Sequence, residues 1–393
     1  MSKRFEVHSH TEYSNLRLLD CINKPKNLIK RALELGLSGI AITDHEALCG
    51  HPEINFFAQE LLEEHPDFKV ALGNEIYLTD TRENGQKYYH FILIAKNKLG
   101  HRALRELSSR AWMNSYWDRG MERVPTLKSD IEEIIAKYPN SLVATSDCLG
   151  GELSTQTLAL IDNEKMGNKE GAAAAHNAIV NFLLWCKKMF GEDFYIECAP
   201  GCSREQIEVN KRLVSIAQAF GMKMVIGSDA HYLKKEDRYI HKSYLNSKGG
   251  EREVDEFYEF SYLQSNAEIY ENLDKSEFNE EFVDKLFENS NEIYKKIENF
   301  SLGHKQTIPK VQVKNYEPMS WVTNKYPTLE NMFASSDKVE RYWVNECYNK
   351  ICERCIQHFA NKVIEVFGFK PITEFTPIEN NETENERNLE YLT

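Results

Sequence analysis

Two histidines spaced i, i+2, His8 and His10, end the short strand that begins at Phe5. Alternation along a strand puts both imidazoles on one face, so both reach one point beyond the strand's end and can share a divalent metal. A lone pair of this kind is more often solvated or packed in a core. The same construction recurs, however, at Asp44-His45 after Gly39–Ile42, at Glu75 after Lys69–Gly73, at Asp147-Cys148 after Leu142–Thr145, and at Asp229-Ala230-His231 after Met224–Ile226. His90 sits near the start of a further apolar run, Tyr88–Ala95, and Asp20 in the loop after His10. His8, His10, Asp20, His45, Glu75, His90, Cys148, Asp229 and His231 form a nitrogen, oxygen and sulfur donor set too large for one ion. Such a set suits two to three closely spaced Zn, Mn or Fe ions, with Glu75 and Asp229 able to bridge. Clustered divalent metals activate a water and clamp the attacking and leaving oxygens of a phosphate ester. Taken singly, His90 reads equally as a core histidine and Cys148 as a small buried hydrophobe.

Seven candidate strands, separated mostly by helical stretches, must position these groups. Pro25 opens the first helix and Gly36 closes it; further helices are expected near 52–62, 99–119, 129–137, 172–190 and 205–220. Nearly unbroken apolarity, as in Gly39–Ile42, is what a strand covered on both faces requires. Strands joined by helices imply parallel βα units, either an open doubly wound sheet or a closed barrel. In a barrel the strand ends open on one face, where distant parts of the chain converge.

The 393 residues, 41% hydrophobic, suffice for one large domain with an appendage. A charge of −13 argues against a protein that coats nucleic acid electrostatically, though not against a nuclease whose metal ions reverse the local sign. Nine cysteines without framework spacing suit reduced thiols, and with no spanning or signal-type apolar run the expected location is cytoplasmic, away from membranes. Three segments are expected: the site-bearing domain over 1–265, a helical extension over 266–370, and an acidic, disordered tail over 371–393. From Thr373 that tail holds six Glu against one Arg. Cys347, Cys352, Cys355 and His358 have a zinc-like composition but fall inside one apolar-periodic helix, which cannot wrap four ligands about one ion.

His8-x-His10, Thr43-Asp44-His45, Gly73-Asn74-Glu75-Ile76-Tyr77, Tyr89-His90-Phe91, Ser146-Asp147-Cys148-Leu149-Gly150-Gly151-Glu152 and Asp229-Ala230-His231-Tyr232 occur in this order. Together they resemble the motifs of the PHP (polymerase and histidinol phosphatase) superfamily, in the form found at the N-terminus of bacterial C-family DNA polymerase III alpha subunits. The resemblance spans about residues 5–300. It implies an α/β fold, a distorted seven-stranded (β/α)7 TIM-like barrel with a C-terminal helical extension and a trinuclear metal site. The implied ligands are His8, His10, His45, Glu75, His90, Cys148, Asp229 and His231, with Asp229, Glu75 and His45 carrying catalysis. At Asp20 the chain departs from the family pattern: Asn15-Leu16-Arg17 look inserted and Cys21 replaces a common glycine.

The resemblance implies a metal-dependent phosphodiesterase or 3′–5′ exonuclease acting on DNA in replication, at a single strand or 3′ end. No Gly-rich phosphate loop follows Gly250, so polymerase activity is not expected from this chain alone, and a separately encoded C-family palm and fingers polypeptide is the expected partner. Two rivals are a metal-stabilised scaffold that docks such a polymerase body, and a small-molecule phosphatase of the histidinol phosphate type.

Overall fold

The computed structural model describes residues 3–305 apart from 84, 119–120 and 248–256, together with 347, 350, 353–355, 358 and 362. Its elements are β1 (Phe5–Glu6), α1 (Pro25–Glu34), β2 (Gly39–Ile42), α2 (His51–Leu61), β3 (Lys69–Thr79), β4 (Tyr89–Ala95), α3 (Lys98–Met113), β5 (Tyr116–Asp118), β6 (Met121–Arg123), β7 (Pro125–Leu127), α4 (Lys128–Lys137) and β8 (Leu142–Thr145). The chain continues through α5 (Glu152–Met166), α6 (Lys169–Phe190), β9 (Phe194–Cys198), α7 (Arg204–Phe220), β10 (Met224–Ile226), α8 (Arg238–Asn246), α9 (Asn266–Asp274) and α10 (Glu280–Lys296). Pro25 starts α1, and Gly36 follows it at φ +70°, the left-handed turn that glycine adopts without a Cβ clash.

Seven strands form the wall in the order β1-β2-β3-β4-β8-β9-β10, with β7 attached to β3. The seam between β1 and β10 is nearly closed. At the C-terminal ends of these two strands a parallel bridge joins Ser9 to Ala230, with the His10 N–H donating to the Ala230 carbonyl at 3.0 Å. Further down, α10 spans the seam: Ser290 Oγ accepts from the Phe5 N–H at 3.1 Å and Asn289 donates to the Met224 carbonyl at 2.7 Å. Residues 3–304 thus form an α/β barrel of seven strands wrapped by helices.

The alternation of each strand divides the core. Ala41, Ala71, Ile92, Ile94, Val143, Tyr195 and Val225, one or two from each of six strands, pack together with Phe5, Val7 and the α10 residues Ile293 and Ile297. Their neighbours Ile40, Ile42 and Leu72 pack against α1 and α2, while Phe91, Leu93, Ala144, Ile196 and Ile226 pack with α3 to α7. At about 25 cal/mol per Å² of apolar surface, two such layers dominate the favourable side of folding.

Three expectations change. The strands are not all parallel, because β4 runs antiparallel to both β3 and β8; the polar turn before it is too short for a helical crossover, so the chain doubles back. The helix expected over 99–119 stops at Met113, and Tyr116–Asp118 pairs with Met121–Arg123 as a hairpin, for which Tyr and Trp are strand formers. Before the helix at 172–190 there is a second one, α5, set off by Gly167 at φ +69° and by Asn168, whose side chain caps α6.

The chain separates into two units, Met1–His304 and Lys305–Thr393. The boundary drawn at 265 from composition falls inside the first unit, because α10 seals the barrel seam. In the second unit Cys347, Cys355 and His358 are helical, whereas Cys352, the extension from 306 to 346 and the acidic tail lie outside the described residues. No helix among the described residues is long and apolar enough to cross a membrane.

Away from the strand ends, His51 and His101 are both buried, with His51 Nε2 3.0 Å from the Gly73 carbonyl and its Nδ1 3.2 Å from His101 Nε2. Burial and then the neighbouring His101 push His51 down to about 3, while burial and Arg105 lower His101 to about 4. The folded-state values lie below the ordinary histidine value near 6.5, so the unfolded chain binds more protons between the two. The contribution is therefore intact above pH ~6.5 and lost as pH falls toward 3, at roughly 1.4 kcal/mol per pH unit for His51. We expect His51→Gln, which keeps a donor for Gly73, to be less stable than wild type at pH 7.5 but to lose less stability between pH 6.5 and 4.5. Urea midpoints measured across that range check it; parallel curves for the two proteins would refute it.

Candidate metal centre

Period-two alternation carries the inward face of each strand from the apolar plug to a polar mouth. Ala71 is followed two by two by Gly73 and Glu75, Val143 by Thr145 and Asp147, Tyr195 by Glu197, and Val225 by Gly227 and Asp229. On the antiparallel β4 the sequence runs the other way: Ile94 and Ile92 lead back to His90, which reaches the mouth from the start of its strand. This accounts for the one histidine that precedes its apolar run. Asp147 and Asp229 leave their strands at φ +68° and +45°, conformations that Asp tolerates better than most residues.

Three neighbouring groups of donor atoms result, the first two sharing His10, each with its atoms within 4.8 Å of one another: His8, His10, Glu75 and Asp229; His10, His45 and His231; and His90, Asp147 and Cys148. In the first, His8 Nε2, His10 Nε2 and Glu75 Oε2 are each 3.0 Å from the other two. Asp229 Oδ1 lies 3.3 Å and 3.2 Å from the two imidazole nitrogens. Four ligands held about 2.0–2.1 Å from a single ion in a tetrahedron have edges of about 3.3 Å, so these four atoms fit a small divalent cation. Asp20 stands beside the second group, its Oδ2 3.3 Å from His45 Nε2 and 3.6 Å from His231 Nε2. Glu75 faces two ways: its second oxygen, Oε1, is 2.6 Å from His90 Nδ1 and 3.0 Å from His45 Nδ1. In the third group Cys148 Sγ is 3.9 Å from His90 Nδ1.

The polar atoms that remain unsatisfied are informative. Asp20 Oδ1, both ring nitrogens of His45, Glu75 Oε1, Asp147 Oδ2 and His231 Nε2 are buried and make no hydrogen bond among the described residues. A buried polar atom left unpaired costs about 1–3 kcal/mol, so a concentration of them in one spot marks a place built for a further ligand. His45 and Glu75 approach closely without hydrogen-bond geometry, as two groups do when both address a common third point.

The electrostatics agree. Burial alone would lower His8, yet the carboxylates of Asp229, Glu197 and Asp147 override it and raise His8 well above the usual range. His45 is likewise raised by Glu75, Tyr77 and Asp20 against the effect of burial. Glu75 and Asp229 are held low by facing histidines although burial opposes this. Burial and the Glu75 charge push Asp147 up to about 7. The field at the mouth is strongly negative, which favours cations. Cys148 is raised well above its usual value by burial and by Asp229, so its thiol would ligate as thiolate only beside a cation.

A supporting ring fixes the donors. Glu197 Oε1 lies 2.7 Å from His8 Nδ1, leaving Nε2 for the cluster, and Glu197 itself accepts from Thr145 Oγ1 at 2.5 Å. Ser14 Oγ sits 3.1 Å from His10 Nδ1 and donates to Asp44 at 2.7 Å. Asp44 also receives the backbone and hydroxyl of Thr11. Glu6 holds Ser228 next to Asp229 and is paired with the buried Arg4. Gly227 is required for close approach: a Cβ there would strike the Glu197 carboxylate and come within 2.9 Å of His8 Cβ.

All nine residues singled out in the sequence meet at this mouth. Asp147 and Glu197 were not among them. Each nonetheless ends a buried strand run in a carboxylate, the same signal that picked out Glu75 and Asp229.

Comparison with known proteins bears on the same region. The family model described as PHP domain matches residues 6–200. The chain is 39% identical over 350 residues to the DNA-directed DNA polymerase of Bacillus phage SPbeta, covering 85% of this chain and 27% of that protein. It is 32% identical over 243 residues to the DNA polymerase III subunit alpha of Borreliella burgdorferi, covering 60% of this chain and 19% of that protein. Similarity to the DNA polymerase III subunit alpha of Aquifex aeolicus is 32% over 258 residues, covering 61% and 19%. The chain thus spans 19% to 27% of the length of these relatives. With the ordered motifs and the barrel in agreement with that match, residues 6–200 form a PHP domain.

Proposed function

We propose that the barrel is a metal-dependent phosphoesterase that holds two to three divalent ions, Zn, Mn or Fe, and cleaves phosphodiester bonds in DNA at a single strand or 3′ end. The observation that supports this best is the closeness of the three donor groups: the first two share His10, and Glu75, a member of the first, has its other oxygen 2.6 Å from His90 of the third. His8, His10, Glu75 and Asp229 would hold one ion, Asp20, His45 and His231 a second, and His90, Cys148 and Asp147 a third. Ions in such a site supply Lewis acidity and a water that ionises near neutral pH. The protein's own part is to keep the donors rigid. Glu197 and Ser14 hold the rings of His8 and His10, Glu75 and Asp229 would supply the negative charge that balances the bound cations, and His45, beside Asp20, would complete the second donor group. His45, Glu75 and Asp229 are the catalytic residues in this reading.

A second reading has the metal site stabilise a scaffold for a C-family polymerase body, encoded separately. It is favoured by the 350-residue reach of the similarity to the phage polymerase, well past the matched residues 6–200. Both readings place the protein in DNA replication in the cytoplasm. One experiment separates them from each other and from a small-molecule phosphatase. The metal-loaded protein is given 5′-labelled single-stranded DNA and, in parallel, p-nitrophenyl phosphate. Shortening of the strand from its 3′ end with little phosphate-monoester turnover is expected. Fast monoester turnover alone would favour the small-molecule phosphatase, and no turnover of either would favour the scaffold.

A further inference from the structure

Arg17 lies in the loop between β1 and α1, in the Asn15-Leu16-Arg17 stretch that departs from the family pattern, and the structure places it next to the metal centre. Its side chain is only 3% exposed. Its Nε donates to Glu46 Oε2 at 3.2 Å, and Glu46 follows directly on His45. Its guanidinium carbon stands 5.7 Å from the centre of the Tyr77 ring. That ring in turn is 5.0 Å from the His90 ring and 6.1 Å from the His45 ring. The cation is therefore one aromatic ring away from two of the candidate ligands.

One donor of this buried cation is unused. Arg17 Nη2 is buried and has no acceptor among the described residues. Glu46 does not supply one: its Oε1 accepts the Tyr77 N–H at 3.1 Å, its Oε2 accepts from Nε, and neither oxygen makes a hydrogen bond to Nη2. Glu46 is itself in an uncommon conformation, φ +49°, and the Trp112 indole holds its carbonyl at 3.0 Å, so the acceptor that orients Arg17 is fixed in place. A guanidinium with one edge pinned and another donor free is suited to bind an oxyanion.

We propose that Arg17 is a substrate-anchoring residue, its free Nη2 donating to a phosphoryl oxygen of the ligand that the metal centre receives. The proposal rests on the phosphoesterase reading for its substrate, but the binding it describes can be measured without turnover. The ligand chemistry is a phosphate dianion or a phosphodiester monoanion, supplied by free phosphate or by a nucleic acid strand.

The test is calorimetric titration of inorganic phosphate and, in a second arm, of a short single-stranded oligonucleotide into the manganese-loaded full chain. Wild type is compared with Arg17→Gln, Arg17→Lys and the double variant Arg17→Gln/Glu46→Gln, each checked by thermal melting and metal content. Phosphate affinity should fall at least about tenfold in R17Q and in the double variant, and less in R17K, which keeps the charge but loses the second donor edge. Weakening in both arms assigns Arg17 to the shared phosphoryl group; weakening with the oligonucleotide alone also supports the anchor and places it on a strand phosphate. If Arg17 serves only to neutralise Glu46, the double variant will bind phosphate as wild type does, which overturns the proposal. Failure of the metal-loaded wild type to bind either ligand overturns it as well. Should R17Q not fold, the comparison of R17K with wild type decides. Phosphate binding that depends on Arg17 without strand cleavage would uphold the anchor and remove the phosphoesterase reading, so the two fail separately.

Discussion

Replacing Asp229 with Asn is expected to abolish strand cleavage by the metal-loaded protein, by at least about a thousandfold, equivalent to about 4 kcal/mol of transition-state stabilisation. Asp229 Oδ1 is within 3.3 Å of His8, His10 and His231, so one carboxylate faces two donor groups. Asn removes the negative charge that this carboxylate would offer to a bound cation. It is also the substitution most compatible with the backbone, because the residue sits at φ +45°, where Asn and Asp are the tolerated non-glycine residues. The fold should therefore survive, and circular dichroism and melting of the variant will show whether it does. Cleavage by the folded Asn variant at the wild-type rate would exclude the cluster as the catalyst and leave the scaffold reading.

The second large effect concerns the ions themselves. Stripping the protein with a chelator should lower its melting temperature substantially, and Mn²⁺ or Zn²⁺ should restore it. A single site saturated at a hundred times its dissociation constant adds about 2.7 kcal/mol to the folded state, and two or three such sites add correspondingly more. For a folded unit that runs from Met1 to His304 a kilocalorie corresponds to roughly 1.5 °C, so a shift of about 4 °C per site is expected. Elemental analysis should find two to three ions per chain, and Glu75→Gln, which touches the first and third groups, should reduce that number. A chelated protein that melts as before and contains no metal would falsify the metal-centre reading.

Much of this was legible along the chain, because local rules govern it. Pro25 and Gly36 bracket α1, continuous apolarity marks β2, and the recurrence of His, Asp or Glu at the ends of buried runs names the donors one by one. A period of two is enough to put His8 beside His10 and Glu75 in line with Ala71 and Gly73. Donor type also limits the chemistry, since imidazole, carboxylate and thiol at such density serve metal ions.

What pairs with what is not local, and only the tertiary structure decided it. The reversal of β4 brings His90 to the mouth from the beginning of its strand, a direction that depends on hydrogen bonds to β3 and β8. The division of donors into three groups, and the facing of Glu75 Oε2 toward one and Oε1 toward another, follow from how seven strands close into a ring. Glu197 is a further case: its sequence signal equals that of Glu75, yet it orients His8 while Glu75 enters the cluster. The sealing of the seam by α10, from residues that composition assigned to an extension, is likewise a long-range event. So is the meeting of Arg17 with Glu46 and Tyr77. Alternation and capping act within a few residues and can be read in order, whereas closure of the barrel joins groups up to 285 positions apart, for which one sequence carries no local signal.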